Sequence, residues 1–396
     1  MGGPSRAEAT KVFPPYPDAT FIVFSDPHLY DPAAFAEGSL PTPAFAEPLK
    51  YLPGPSVEIL DAALGMMSGI AADFVLVSGD LTQDGEEADH LALARRLEAL
   101  RAQGKKVYVI PGNHDVEDGD ARSHFFGHDI PAPSLGPEEF ARIYADFGYG
   151  DSVSRAPDSL SYEAEPLPGL TLLALDDNLW KDNKPGQEPR RGGRLAPGTK
   201  AWLERRLAAA DAAGRAVIVM QHHEVLEHMR GSTILIPGAL VDSSESLASL
   251  YARLGARLVF TGHFHAHDAA LSRRAGGFVC DASTGSLIAF PSPFRIVRLS
   301  EGKASFETRL IESIPSRPEL FPAASRRAEE RLVEHLVERS LARLGAWRSL
   351  SAPIARRVAE DYLAHYPGAP APDRLWAQAD SLAPFELDLS RGLLSE

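Results

Sequence analysis

Cysteine is nearly absent. The 396 residues include one, Cys280, which excludes an intrachain disulfide and any thiolate-based zinc or iron–sulfur centre. No apolar run approaches the ~18 residues that a membrane helix requires. The first thirty residues carry no apolar core of a signal peptide, and one thiol fits either a cytoplasmic protein or one exported after loss of a leader. Lysine is scarce, with 8 residues against 32 arginines, and acidic residues outnumber basic ones 54 to 40, for a formal net charge of −14. Such a chain lacks the broad basic face that nucleic acid requires. A phosphate-bearing small molecule is still admissible, because a bound metal reverses the local sign of charge.

What is present reads as a folded α/β protein. The composition, 44% apolar and 24% charged, is that of an ordinary globular chain. Residues 1–20 contain Pro14, Pro15 and Pro17 without periodicity and read as an unstructured lead-in. Short β-branched and aromatic runs follow at Phe21–Phe24, Phe74–Val77, Val107–Ile110, Leu170–Leu175, Ala216–Met220 and Arg257–Phe260, each four to six residues long and bounded by Gly, Pro, Asp or His. Helical patterns separate them at Val57–Ala72, Glu86–Gln103, Gly198–Ala213 and Ser243–Leu254. Alternating strands and helices indicate an α/β architecture. Asp118–Pro137 and Asp177–Gly198 are long Gly- and Pro-rich connections of the kind that carry function. Beyond about residue 312 the strands stop, and Ser325–Leu344, Pro353–His365 and Pro372–Leu382 read as helices.

The polar residues cluster at the carboxyl ends of the strands, where open α/β sheets bind ligands. In order they are Asp26 and His28, Gly79-Asp80, Gly112-Asn113-His114-Asp115, His222-His223, and Gly262-His263-Phe264-His265. Any one of these is weak, since a histidine after a strand is more often structural. Together they form a mixed imidazole, carboxylate and amide set that suits Mn, Fe or Zn. Seven ligands exceed what one catalytic ion takes. They suit two ions sharing a carboxylate, roughly 3.5–4 Å apart.

These five blocks resemble the calcineurin-like metallophosphoesterase superfamily, whose motifs run D-x-H, G-D, G-N-H-[DE], H and G-H-x-H. The likeness covers about residues 20–300. Ser25-Asp-Pro-His28, Gly79-Asp-Leu-Thr82, Phe147-Gly-Tyr-Gly-Asp151 and His222-His223 are similar to bacterial members of the cyclic-nucleotide phosphodiesterase type. The resemblance implies a four-layer α/β/β/α sandwich over residues 21–312, with a small helical region over 313–396. It implies that Asp26, His28 and His265 hold one metal, that Asn113, His222 and His263 hold the other, and that Asp80 bridges them. A metal-bound hydroxide would attack phosphorus while His114 assists the leaving oxygen. His222 is preferred to His223 as the ligand because the family pattern places it first after the strand. His223 and His228 are candidate contacts to substrate phosphate, with a structural role as the alternative.

One departure bears on the substrate. Protein phosphatases of the superfamily read G-D-x-x-D-R-G, in which the second Asp orients the catalytic histidine. Here Gln83 stands in place of that Asp and Asp84 in place of the Arg. Gln83 or Asp115 is left as the partner of His114, and a protein-phosphatase activity is disfavoured. Hydrolysis of a small phosphodiester, cyclic nucleotides included, is the reading favoured. A phosphomonoesterase or nucleotide pyrophosphatase on the same site is the first rival. A metal-binding scaffold with a partner-binding helical tail is the second.

Overall fold

In the computed structural model the described residues are 12–31, 54–125, 128–228, 233, 238–322 and 384–395. The first half runs β1 (Ala19–Phe24), α1 (Ser56–Ser68), β2 (Phe74–Val77), α2 (Glu87–Arg101), β3 (Lys106–Val109), a hairpin of β4 (Arg122–Phe125) and β5 (His128–Pro131), and α3 (Pro137–Ile143). It continues through β6 (Ser154–Arg155), β7 (Tyr162–Leu167), β8 (Leu170–Leu175), α4 (Pro197–Ala212), β9 (Ala216–Gln221), α5 (Ser244–Leu254) and β10 (Ala256–Thr261). The remaining strands are β11 (Asp268–Arg274), β12 (Gly277–Ser283), β13 (Pro293–Ser300), β14 (Lys303–Leu310), β15 (Phe385–Asp388) and β16 (Leu393–Ser395). Every strand and helix expected from the apolar runs before residue 262 is present, with ends shifted by a few residues.

Two seven-stranded sheets result, in the orders β16-β15-β14-β13-β1-β2-β3 and β11-β12-β10-β9-β8-β7-β6. The alternation of side chains explains how they stack. Along β8, Leu170, Leu172 and Ala174 join the core shared with the first sheet, while Leu173 and Leu175 pack with Trp202, Leu203 and Leu207 of α4. Phe260 of β10 meets Phe21 of β1 edge to face across the interface, with ring centroids 5.3 Å apart. Ile59 and Leu60 of α1 and Leu93 and Leu97 of α2 belong to the same core as the fully buried β1. Helices therefore cover both outer faces, giving the expected α/β/β/α layering. No helix among the described residues is long and apolar enough to cross a membrane.

β1, β2 and β3 are parallel, as are β8, β9, β10 and β12. Their carboxyl ends lie at one end of the sandwich, where Ser78 Oγ donates to the Thr261 carbonyl across the two sheets. The long connection after β3 contains the β4–β5 hairpin and α3. The helices expected over 325–382 lie outside the described residues. Phe385–Asp388 and Leu393–Ser395, expected within that helical region, are strands instead, joined by a turn. Phe385-Glu-Leu-Asp388 alternates apolar and polar residues, and Phe385 and Leu387 are buried while Glu386 and Asp388 are half-exposed. Phe385 stacks on Phe306 of β14 with centroids 4.4 Å apart and planes 8° from parallel.

Replacing Phe385 with Ala removes that stack and leaves a cavity under the sheet edge. The expected cost is about 3–5 kcal/mol, read as a lower denaturant midpoint with metal content unchanged. A midpoint equal to wild type would show that β15 contributes nothing to the fold.

Candidate metal centre

The loops leaving the strands are built from residues in unusual conformations. Among the described residues nine non-glycine residues have left-handed φ, and five are sequence-predicted ligands: Asp26 (49°), His28 (36°), Asp80 (47°), His263 (58°) and His265 (58°). Each such conformation costs about 1–3 kcal/mol and persists only where its surroundings over-determine it. Backbone bonds do this here: Asp26 N donates to the Gly79 carbonyl at 3.1 Å and His28 N to the Asp80 carbonyl at 3.0 Å. The motif glycines allow the loops to touch. A Cβ at Gly112 would overlap the Asp80 carboxylate, and one at Gly262 would overlap that of Asp26.

Two groups of ligand atoms form, each with all its atoms within 4.8 Å of one another. One comprises Asp26, His28, Asp80 and His265; the other comprises Asp80, His222 and His263. Asp80 belongs to both. Its Oδ2 is 3.5 Å from His28 Nε2 and 3.4 Å from His222 Nε2, and its Oδ1 accepts the His114 backbone N–H at 3.0 Å. His265 Nε2 is 3.2 Å from Asp26 Oδ1, and His263 Nδ1 lies 3.3 Å from His222 Nε2. His222 Nδ1 is fixed on the Ser78 carbonyl at 2.8 Å, which leaves Nε2 for the cluster. Burial pulls the His28 and His263 imidazoles well below the usual range, toward the neutral form that coordinates metal. Burial opposes the charge on Asp80, yet His222 and His114 hold its carboxyl well below the ordinary value.

The donor set fits two transition-metal ions. It offers imidazoles and carboxylates with no thiolate. Asn113 Oδ1 is buried with no hydrogen-bond partner among the described residues, a costly arrangement for an amide that has nothing to bind. A dimetal centre is thus the arrangement that accounts for both clusters.

His114 stands beside them, its ring 5.3 Å from that of His28, in a third group with Asp84 and Asp118. Burial pulls its imidazolium down, but the carboxylates of Asp80, Asp118 and Asp84 more than offset this and push it up to about 9. The expected partners of His114 need correction. Both oxygens of Asp115 are occupied, accepting from the backbone N–H groups of Leu81, Thr82 and Gly112 and from Thr82 Oγ1. The Gln83 side chain lies beside Asp84 and, against the upward push of burial, lowers its carboxyl. The carboxylate facing His114 Nδ1 is that of Asp118, at 3.6 Å. The signal available for it in sequence was the carboxylate-rich run Asp115-Val-Glu-Asp118-Gly-Asp120.

Neither histidine proposed to touch substrate joins a ligand group. Both ring nitrogens of His223 are engaged, Nδ1 with Asp177 Oδ1 and Nε2 with the Arg191 carbonyl, each at 3.0 Å. Its ring lies 4.1 Å from that of His263, so it packs behind the cluster. His228 is buried between two carboxylates, with Nδ1 3.4 Å from Asp268 and Nε2 3.6 Å from Asp281. These partners hold it up at about 10 against burial, the behaviour of an internal ion pair.

Known proteins resemble this chain in sequence and in fold. The sequence signature of the calcineurin-like phosphoesterase family matches residues 19–267. The metallophosphoesterase YhaO of Bacillus subtilis is 33% identical over 142 residues, which are 33% of this chain and 33% of that protein. The chain therefore spans about a third of the length of that relative. A probable cyclic nucleotide phosphodiesterase of Synechococcus is 26% identical over 240 residues, 60% of this chain and 69% of that protein. A dimetal phosphatase of Danio rerio superposes with a TM-score of 0.50 at 15% identity, covering 75% of this chain and 96% of the other; that likeness is one of fold. With the family signature spanning all five strand-end motifs, the chain belongs to the calcineurin-like phosphoesterases.

Proposed function

We propose that the protein hydrolyses phosphodiesters, with cyclic nucleotides as the class to test first. In this reading Asp26, His28, Asp80 and His265 hold one ion, and Asp80, Asn113, His222 and His263 hold the other. The observation that carries the diester reading is the carboxylate pair Asp84 and Asp118 packed around His114. The name of the Synechococcus relative supports the same class.

Ions of the Mn, Fe or Zn type supply, when bound, Lewis acidity toward phosphoryl oxygens and a nucleophile at neutral pH. The remaining work falls to the chain. Asp80 keeps the two ligand groups in register. His114, drawn toward its protonated form by the carboxylates of Asp118 and Asp84, gives its proton to the departing ester oxygen. A diester approaches as a monoanion. A monoester dianion carries more charge toward Asp84 and Asp118, and sites built for dianions surround them with arginine or lysine. The strand-end motifs contain neither.

Asp80→Ala removes the shared ligand. At least one ion and nearly all turnover should be lost; two ions per chain with near-normal activity would refute the dinuclear assignment. His114→Ala should keep both ions and lower kcat by about 10²–10⁴-fold for alkoxide leaving groups, with a smaller loss for nitrophenolate, which departs without a proton. An equal loss for both would remove His114 from the acid role. With one metal at one pH, kcat/KM for an aryl diester should exceed that for the matching monoester. Burial holds the Asp84 carboxyl up at about 7, so the preference should sharpen as pH rises through neutrality and shrink in Asp84→Asn. A monoester preference in the wild type would move the assignment to the phosphatase branch.

A further inference from the structure

The family position that would orient the catalytic histidine holds Gln83 in this chain, yet His114 is not left without a carboxylate. We propose that Asp118, supplied by the loop after β3 and not by the loop after β2, is the positioning residue that fixes the ring and tautomer of His114. This rests on the reading of His114 as the proton donor.

Three observations converge on it. First, His114 Nδ1 and Asp118 Oδ2 are both buried, and neither has a hydrogen-bond partner among the described residues. They face each other at 3.6 Å. Two buried polar atoms in this state are costly apart and stable together, and a shift of roughly half an ångström closes the bond. Catalytic contacts are often this long before substrate binds. Second, the Asp118 side chain is already held on its other side. Its Oδ1 accepts the Asp120 N–H at 2.8 Å, and its own N–H donates to Ser134 Oγ at 2.8 Å. Glu117, immediately before it, takes a left-handed φ of 47° and donates its N–H to the Leu135 carbonyl at 2.8 Å. A strained residue clamped in this way turns the chain so that the carboxylate meets the ring. Third, the β2 loop is pressed against the same place. A Cβ on Gly85 would lie 2.9 Å from the His114 carbonyl oxygen and 3.2 Å from Asp118 Cβ. The loop thus packs against the backbone of His114 and the Cβ of Asp118, the two points from which the ring and the carboxylate extend.

With Nδ1–H donated to Asp118, the proton that moves in the reaction is the one on Nε2. The His114 side chain keeps 27% of its surface exposed, whereas that of Asp118 keeps none. The histidine can therefore meet a ligand and the carboxylate cannot, as expected of a residue that acts through another.

The test uses the full chain loaded with Mn²⁺ and compares wild type, Asp118→Asn, Asp118→Ala, His114→Ala and His114→Ala/Asp118→Asn. Diesters whose leaving groups span nitrophenolate to alkoxide are the probes, with metal content measured for each protein. The expected result is two ions per chain throughout and KM within a few-fold of wild type. Both Asp118 variants should lose about 10–100-fold in kcat for alkoxide departure, part of the general-acid contribution, and little for nitrophenolate. The double variant should be no slower than His114→Ala. Asp118→Asn keeps the side-chain shape, so the comparison survives if the alanine variant folds poorly. A kcat loss equal across leaving groups, a third ion in wild type that the variants lack, or unchanged kinetics would each overturn the proposal. Leaving-group dependence in His114→Ala with none in the Asp118 variants would sink this inference alone. Its absence in His114→Ala would sink the proton-donor reading beneath it.

Discussion

The structure turns on one carboxylate. Asp80 faces His28 with the same oxygen that faces His222, and its other oxygen receives the backbone N–H of His114. Loops from β1, β2, β3 and β9 thus converge on a single side chain that is itself in a left-handed conformation. His222 and His114 are the main imidazoles that favour the charged form of the Asp80 carboxylate. Metal binding changes that balance, and anything that binds only the folded state stabilises it by mass action. The folding and the chemistry of this end of the sandwich are therefore one problem.

The strain at the ligands follows from the same geometry. Parallel strands deliver the chain to one end of each sheet. Asp26 and His28, like His263 and His265, stand two residues apart, a spacing that already puts both on one face of an extended chain, and the backbone then leaves the strand conformation at these residues themselves. Positive φ at all four residues is the local cost. The close approach of Gly112 to Asp80 and of Gly262 to Asp26 is what makes the convergence sterically possible.

Much of this was legible in the sequence, for identifiable reasons. Runs such as Phe21–Phe24 and Phe74–Val77 are buried along their whole length, so they read as continuous apolar segments with abrupt polar ends. β11 and β14 did not announce themselves, because each is partly exposed and interleaves charged residues with apolar ones. The same limit applies at the site. Polar residues after strands mark the members of the two side-chain clusters, but histidines read in the same way include His223 and His228, whose buried partners Asp177, Asp268 and Asp281 are distant in sequence. Asp118 was missed because its place depends on Ser134 and Leu135, brought back by the β4–β5 hairpin.

The strands at residues 385–395 have a consequence for how the protein is made. β14 finds its outer partner only when β15 arrives, and Arg257 of β10 binds the Leu389 carbonyl through one guanidinium nitrogen and the Pro14 carbonyl through another. During synthesis the β14 edge of the first sheet waits for its partner until Phe385–Asp388 has left the ribosome. An unpaired edge of that kind is a template for the strand of another molecule. The interval before β15 docks is therefore the period when a nascent chain is most exposed to misassembly, and premature termination would make that exposure permanent.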